Sequence, residues 1–229
     1  MAFEIVNMSV LNETQLMQAA QILVDELPLG WPVFADAMRE VNERWKGVEG
    51  AEFFAAVTAD DGAQDGGGEC ANGGEQRDSA CGSEVREPGG KPRNGANNSS
   101  GECAGSGEVI GWCGILPQYG GNVYELHPLA VRRDWQRKGV GTALVREAES
   151  AAAKKGGLTM WIGADDERPG GETSFANADL YDDLPQRIRD FQPGTHQTAF
   201  YMKLGYKISG VMPDANGPGK PDIYLAKRL

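Results

Sequence analysis

The sequence lacks any apolar run long enough to span a bilayer, and its N-terminus, MAFEIVNMSV, has no basic region followed by an apolar one. These two absences argue against a transmembrane segment and a signal peptide. We therefore expect a soluble protein of the cytoplasm that has no membrane partner.

Basic residues are outnumbered, since 22 Lys and Arg stand against 33 Asp and Glu, which gives a formal net charge of −11. This balance disfavours nucleic acid as the main partner, because a phosphate backbone binds to basic surfaces. It permits cationic partners such as polyamines or amino-sugars, which a negative field attracts. Solubility alone explains the acidity of many other proteins.

Cysteine is scarce, and its spacing matches neither a CxxC pair nor a zinc site. We therefore predict no metal and expect free thiols in a reducing compartment. The four cysteines are Cys70, Cys81, Cys103 and Cys113.

Residues 60–107 contain 13 glycines but no leucine, isoleucine, methionine or aromatic residue. Such a segment cannot bury enough apolar surface to offset the entropy lost on ordering. We predict a single domain over residues 1–229, interrupted at 60–107 by a disordered insertion between two strands.

Outside this segment, helix and strand signals alternate, which predicts a mixed α+β fold. Asn12 and Gln15 have the spacing of a capping box that begins a first helix. Apolar residues at helical spacing from Phe34 to Trp45 predict a second helix. Further predicted helices cover 139–155 and 196–204, and predicted strands cover 3–6, 52–59, 108–116, 123–131, 158–163, 206–212 and 222–227.

The stretch from Gln136 to Thr142, QRKGVGT, joins a predicted strand to a predicted helix. Its glycines permit a tight turn, and the first N–H groups of the helix have no intrahelical partner. Together with the helix dipole and the charges of Arg137 and Lys138, they predict a phosphate or pyrophosphate site. The pattern is neither a Walker loop nor the GxGxxG of dinucleotide-binding folds.

The pattern QxxGxG after a strand resembles the pyrophosphate loop of GNAT N-acetyltransferases. The blocks PQYGGNVYELHPLAV, LTMWIGADDE, DLYDD and FYMKLGYKISGVMPDANGPGKPDIYLAKRL narrow the resemblance to aminoglycoside 6'-N-acetyltransferases, over nearly the whole chain outside 60–107. This resemblance implies a mostly antiparallel sheet with splayed strands, flanked by helices, and acetyl-CoA as the cofactor. It also implies direct acetyl transfer in a ternary complex and a homodimer, with the C-terminal strand as an expected interface.

The resemblance also implies where the coenzyme binds. Backbone groups around Leu129 would face the acetyl carbonyl, and those of Val131 would pair with the pantetheine arm. Pro128 fits a bulge or splay there, because proline donates no ladder hydrogen bond. The implied cofactor-binding residues are Leu129, Ala130, Val131, Gln136, Arg137, Lys138, Gly139, Val140, Gly141 and Thr142.

Three side chains are candidates for proton transfer. Glu125 would hold the substrate ammonium or take its proton through a water, and His127, two residues along the same strand, would relay a proton or orient a neighbour. His127 is equally well explained as a structural histidine. By resemblance, Tyr201 would protonate or hydrogen-bond the coenzyme thiolate, although it also suits a core position.

The acceptor site should be acidic if the substrate is a polycationic amino-sugar. Residues 164–193 hold eight acids and three bases, a local charge of −5. Most such stretches are merely solvated surface. The segment ERPGGETSFAN departs from the family pattern. The resemblance implies acceptor contacts by Trp31, Tyr119, Asp165 and Asp166, and the further acceptor-binding candidates are Glu125, Glu167 and Asp179.

Three functions remain open from the sequence. The first is aminoglycoside 6'-N-acetylation, which confers antibiotic resistance. The second is acetylation of another cationic amine, such as a polyamine, a small metabolite or a protein N-terminus. The third is non-catalytic binding of acetyl-CoA or of cationic ligands, which the joint presence of Glu125, the QxxGxG loop and Tyr201 disfavours.

Overall fold

The computed structural model describes residues 2–59 and 107–229, without the side chains of 43–47. The insertion predicted at 60–107 therefore lies outside the described residues, apart from Gly107. Of the helices described, none combines the length and the apolar composition needed to cross a bilayer.

Within the described residues, seven strands form one sheet in the order β1-β2-β3-β4-β5-β7-β6. The pairing of β4 with β5 is parallel, and the other pairs are antiparallel. This confirms the predicted mostly antiparallel α+β sheet. The strands are β1 (Phe3–Asn7), β2 (Glu52–Thr58), β3 (Val109–Gln118), β4 (Val123–Val131), β5 (Thr159–Asp165), β6 (Lys207–Met212) and β7 (Asp222–Arg228).

Five α-helices accompany the sheet in the described part of the chain. The first begins at the predicted capping box, in which the Gln15 N–H donates to Asn12 at 3.0 Å and the Asn12 N–H donates to Gln15 at 3.1 Å. The fourth lies within the acidic stretch 164–193 and was not predicted. The helices are α1 (Glu13–Glu26), α2 (Phe34–Gly47), α3 (Val140–Lys154), α4 (Leu184–Arg189) and α5 (Thr198–Lys203).

Two apolar cores lie on opposite faces of the sheet. Helices α1 and α2 cover one face of the β1–β4 half, where the Trp112 indole N–H donates to the Ala19 carbonyl at 2.9 Å. Helix α3 and the aromatic residues of α5 pack on the other face, together with Phe175 and Phe191. The sheet therefore carries α3 and α5 on the same side, which brings their ends together.

Strand β4 carries the bulge predicted at Pro128. Cys113 pairs with Leu129 while Ile115 pairs with Leu126, so β4 has one more residue than β3 between these pairs. The extra residue changes the alternation, and Leu126 and Leu129 both pack on the α3 side.

The predicted splay is also present, between β4 and β5. Their pairing is limited to three residue pairs and ends where Glu125 lies opposite Trp161. Beyond this point the remaining part of β4 pairs only with β3 in the described structure. The two strands therefore diverge toward their carboxyl ends and leave an opening between them.

The C-terminal strand, which is the expected interface, has no edge to which a second copy could add. Strand β7 lies inside the sheet, paired with β5 on one side and β6 on the other. Both of its edges are used, so a second copy that extended this sheet would have to add to β6 or β1. The oligomeric state itself remains a prediction.

Candidate active site

Two clefts meet at the diverging end of β4. The first, of about 560 Å³, lies between loop 136–142, the end of β4 and α5, and we call it the loop cleft. The second, of about 650 Å³, lies between the ends of β4 and β5 and the segment 26–31, and we call it the acidic cleft. The residues common to both walls are Leu129, Val131, Gln136 and Gln197.

The backbone of loop 136–142 forms the concave turn that its glycines predicted. Arg137 and Gly139 are both left-handed, with φ of 59° and 90°. Helix α3 begins at once, and its first intrahelical bond runs from the Ala143 N–H to the Gly139 carbonyl at 3.0 Å. No described side chain caps this turn. The first N–H groups and the positive end of the helix dipole therefore suit an anion.

The side chains of the loop fall into two groups. Arg137, Gly139, Gly141 and Thr142 line the loop cleft. The Lys138 ammonium instead lies 5.1 Å above the ring of Trp135, and Val140 is buried in the core. The side chains of Lys138 and Val140 therefore do not line the loop cleft.

The Gln136 side chain has a role that the sequence did not indicate. Its Nε2 donates to the Val131 carbonyl at 2.9 Å and to the Glu26 carboxylate at 3.1 Å. Glu26 also accepts the Arg133 N–H at 2.7 Å. Glu26 is 110 residues away from Gln136 in the sequence, and no local pattern links the two.

Tyr201 lies in the wall of the loop cleft. Its ring is buried, with the centroids of Phe200 and Tyr206 at 5.0 and 5.8 Å. Burial raises the pKa of the phenol above its ordinary value, and the nearby Cys113 adds to this effect. Tyr201 is therefore a protonated hydrogen-bond donor at neutral pH.

Glu125 and His127 are not among the residues that line the two clefts. The Glu125 carboxylate accepts a hydrogen bond from Gln118 Nε2 at 2.6 Å. The His127 ring lies 5.8 Å from the ring of Trp31, between centroids, and Trp31 lines the acidic cleft. His127 therefore lies next to the wall of the acidic cleft, and Glu125 lies two residues before it on β4.

Among the described residues that line the acidic cleft there are four carboxylates, those of Glu26, Asp165, Glu167 and Glu172. The same residues include one guanidinium, that of Arg168. Asp165 accepts from Asn216 Nδ2 at 2.6 Å. Glu172 accepts from the Thr195 hydroxyl at 3.0 Å. Trp31, Asp165 and Glu167 were predicted here, whereas Glu26 and Glu172 were missed.

Three other acceptor candidates lie elsewhere, so their predicted contacts need correction. Asp166 is buried, and its two oxygens accept the Glu172 and Thr173 N–H groups, each at 2.8 Å, which closes the loop. Asp179 accepts the N–H of Tyr181 in a separate hollow. Tyr119 is 78% exposed on the β3–β4 turn.

His196 is a buried residue that the sequence did not single out. Its Nε2 lies 3.0 Å from the Asp165 carbonyl, and the Thr198 N–H donates to its Nδ1 at 3.4 Å. Because a carbonyl oxygen can only accept, Nε2 carries a proton and donates it to the Asp165 carbonyl. His196 therefore joins the start of α5 to the end of β5.

Comparison with known proteins agrees with this geometry. The model of the acetyltransferase (GNAT) family matches residues 93–169, a range that includes β3, β4, the anion loop, α3 and β5. No curated protein sequence matches the chain.

The chain is also similar to solved structures. An aminoglycoside 6'-N-acetyltransferase complexed with coenzyme A is 28% identical with a TM-score of 0.69, covering 100% of this chain and 97% of that one. The aminoglycoside 6'-N-acetyltransferase from Enterococcus faecium is 29% identical with a TM-score of 0.67 and the same coverage. A type Ii aminoglycoside 6'-acetyltransferase is 25% identical with a TM-score of 0.59, again with the same coverage.

Proposed function

Because the chain carries a GNAT acetyltransferase domain that uses acetyl-CoA, we propose that it acetylates the 6'-amine of aminoglycosides by direct transfer in a ternary complex. The observation that carries this proposal is the meeting of the two clefts at Leu129 and Val131. A donor in the loop cleft and an amine in the acidic cleft would come together at this wall, which satisfies the proximity that acyl transfer requires.

The loop cleft fits the cofactor. Loop 136–142 offers uncapped amides and the guanidinium of Arg137 to a pyrophosphate. Gly141 lines this cleft, and because it has no side chain a ligand can approach its backbone closely. Acetyl-CoA supplies the acetyl thioester, and the residues described next would act on it.

Strand β4 would bind and orient the donor. Past Glu125 the side of β4 that faces β5 has no strand partner among the described residues. Backbone groups of Leu129 and Val131 can then pair with an extended amide chain, as in addition of a strand to a sheet, whereas those of Ala130 face β3. The Leu129 N–H would polarise the acetyl carbonyl and stabilise the oxyanion.

Proton transfer would use Glu125 and Tyr201. Glu125 would take a proton from the substrate ammonium through a water, which frees the neutral amine to attack the thioester, and its hydrogen bond from Gln118 fixes its orientation. Tyr201, kept protonated by burial, would donate a hydrogen bond or a proton at the leaving sulfur. His127 would orient Trp31 by ring contact.

The burial and the raised pKa of the Cys113 thiol favour direct acetyl transfer over a mechanism with an acyl-enzyme intermediate. This thiol is buried behind β4, and burial strongly raises its pKa above the ordinary value. The reactive form of cysteine is the thiolate. Among the described residues Cys113 is the sole cysteine, so no thiol there is suited to carry the acetyl group.

The acidic cleft supports a polycationic acceptor. Four carboxylates around one guanidinium attract ammonium groups, and Trp31 offers an aromatic face to a sugar ring or a cation. The similar structures that are aminoglycoside 6'-N-acetyltransferases favour an amino-sugar. Because Asp166, Asp179 and Tyr119 lie away from this cleft, a polyamine remains the second candidate.

The test is a steady-state assay of acetyl transfer to kanamycin, tobramycin and spermidine, with NMR of the product to locate the acetyl group. A matched pair of aminoglycosides, one with a 6'-amine and one with a 6'-hydroxyl, adds the sharpest comparison. We expect turnover with the amine alone. Transfer to spermidine but to no aminoglycoside would leave the second candidate, and binding of acetyl-CoA without turnover would favour a non-catalytic role.

A further inference from the structure

We propose that Glu26 is a positioning residue that connects loop 136–142 to the wall of the acidic cleft. The idea rests on the proposed function only for the identity of the acceptor. Glu26 is the last residue of α1, and the segment that follows it lines the acidic cleft. Its carboxylate reaches across to the segment 131–136, which leads from β4 into the anion loop.

The contacts of Glu26 hold two parts of that segment at once. One carboxylate oxygen accepts the Arg133 N–H at 2.7 Å, and the other accepts Gln136 Nε2 at 3.1 Å. Gln136 Nε2 also donates to the Val131 carbonyl at 2.9 Å. A side-chain amide has two N–H hydrogens, and here each has an acceptor. The opposite amide orientation would set oxygen against oxygen at both positions.

These contacts leave the Gln136 amino group committed to the protein. Glu26 therefore holds the first residue of loop 136–142 by a hydrogen bond, while Arg137 and Gly139 of the loop line the loop cleft. A Gln136 that donated to a phosphate through Nε2 would have to give up one of its two present bonds.

The charge of Glu26 argues for a positioning role. A carboxylate at the rim of an anion site repels the anion and lowers its affinity unless it contributes something else. Here it accepts two hydrogen bonds that order the turn before the site. If the Glu26 carboxylate is removed, its two hydrogen bonds are lost together with its repulsion of the anion. We expect the loss of the hydrogen bonds to lower the affinity for the anion more than the loss of repulsion raises it.

The segment that follows Glu26 forms part of the wall of the acidic cleft. After Glu26 the chain turns, with the Gly30 and Trp31 N–H groups both donating to the Leu27 carbonyl, at 3.1 and 3.0 Å. Trp31 then meets the ring of His127. A shift of the C-terminal end of α1 would therefore move both loop 136–142 and the wall of the acidic cleft.

The test is calorimetric titration of the full chain with coenzyme A, which needs no acceptor. We expect E26A and Q136A each to raise the Kd for coenzyme A about fivefold to twentyfold, as loss of charged hydrogen bonds does. The double variant should be no weaker than the weaker single one. An unchanged or lower Kd in E26A, or additive losses in the double variant, would overturn the proposal.

Two further variants separate charge from folding. D25A removes the neighbouring carboxylate, which bonds only to Gln21 of its own helix, and should bind coenzyme A as the parent does. E26Q keeps one accepting oxygen without the charge and should fall between the parent and E26A.

If Glu26 instead binds the acceptor ammonium, E26Q will raise the KM for the amine and leave the Kd for coenzyme A unchanged, which also overturns the proposal. Melting curves identify any variant that is unfolded. Because the titration contains no amine, failure to acetylate aminoglycosides would leave its result intact.

Discussion

Asp165 and Asp222 lie directly opposite each other across the antiparallel β5–β7 pair. Burial raises the pKa of the Asp222 carboxyl above its ordinary value, and the charge of Asp165 adds to the effect. The Ala164 N–H donates to Asp222 at 2.9 Å and partly opposes the shift. The end of β5 thus carries a pair of like charges beside the acidic cleft.

This pair predicts a pH-dependent stability. An acid whose pKa is raised by folding binds more protons in the folded state, so stability falls as pH rises above its ordinary pKa of about 4. D222N keeps an acceptor for the Ala164 N–H but cannot ionise. Relative to D222N, the parent protein should therefore lose stability as pH rises above about 4, until Asp222 is ionised in the folded state as well, as measured by denaturant unfolding.

The control for this measurement is D179N. Asp179 is exposed and bonds to the Tyr181 N–H, which an asparagine oxygen can also accept. Its pH profile of stability gives the effect of removing one exposed carboxylate from the chain. A D222N profile that differs from the parent's no more than the D179N profile does would show that Asp222 titrates alike in the folded and unfolded chains.

Gly139 and Gly156 offer a matched pair at the two ends of α3. Both have a φ of 90°, and at both an added Cβ would meet no atom within 4 Å. Alanine should therefore lower the free energy of unfolding at each by about 1–2 kcal/mol through backbone strain alone.

The two sites should differ in coenzyme binding. Gly139 shapes the turn whose amides face the loop cleft, whereas Gly156 follows the other end of the helix. We expect G139A to weaken the binding of coenzyme A and G156A to leave it unchanged, by calorimetric titration. Equal affinities in both variants would argue against coenzyme binding by this turn.

Tyr201→Phe tests the proposed proton donor. The variant keeps the ring that packs against Phe200 and Tyr206 and removes only the hydroxyl. General acid catalysis contributes about a hundredfold or more, so we expect kcat to fall at least tenfold with little change in the Kd for coenzyme A. An unchanged kcat would remove Tyr201 as the acid and leave it a core residue.

The sequence predicted what depends on local chemistry. The capping box at Asn12, the bulge at Pro128 and the turn before α3 follow from a few neighbouring residues, and each is present. The mostly antiparallel sheet with splayed strands came through the resemblance, because pairing between distant segments leaves no local pattern.

The acceptor side was the part that sequence reasoning predicted least well. Asp165 and Asp166 are neighbours, yet strand alternation places one at the cleft and buries the other, where it binds loop amides. Glu26 and Glu172 reach the cleft from other segments. Which carboxylates face a cleft depends on loop paths that composition does not determine.

Deleting residues 60–106 tests the predicted insertion. The segment lies outside the described residues, but the ends it joins are adjacent: the Thr58 N–H donates to the Glu108 carbonyl at 2.9 Å. A short Gly/Ser turn can therefore connect Ala59 to Gly107, whose carbonyl accepts from Gln15 at 2.9 Å. Since the composition predicts no contribution to the core, we expect kcat and the melting temperature to stay near the parent's, as measured by acetyl transfer and thermal unfolding. If the shortened chain failed to fold, the insertion would have to pack against the sheet, and the prediction of disorder from glycine content would be wrong.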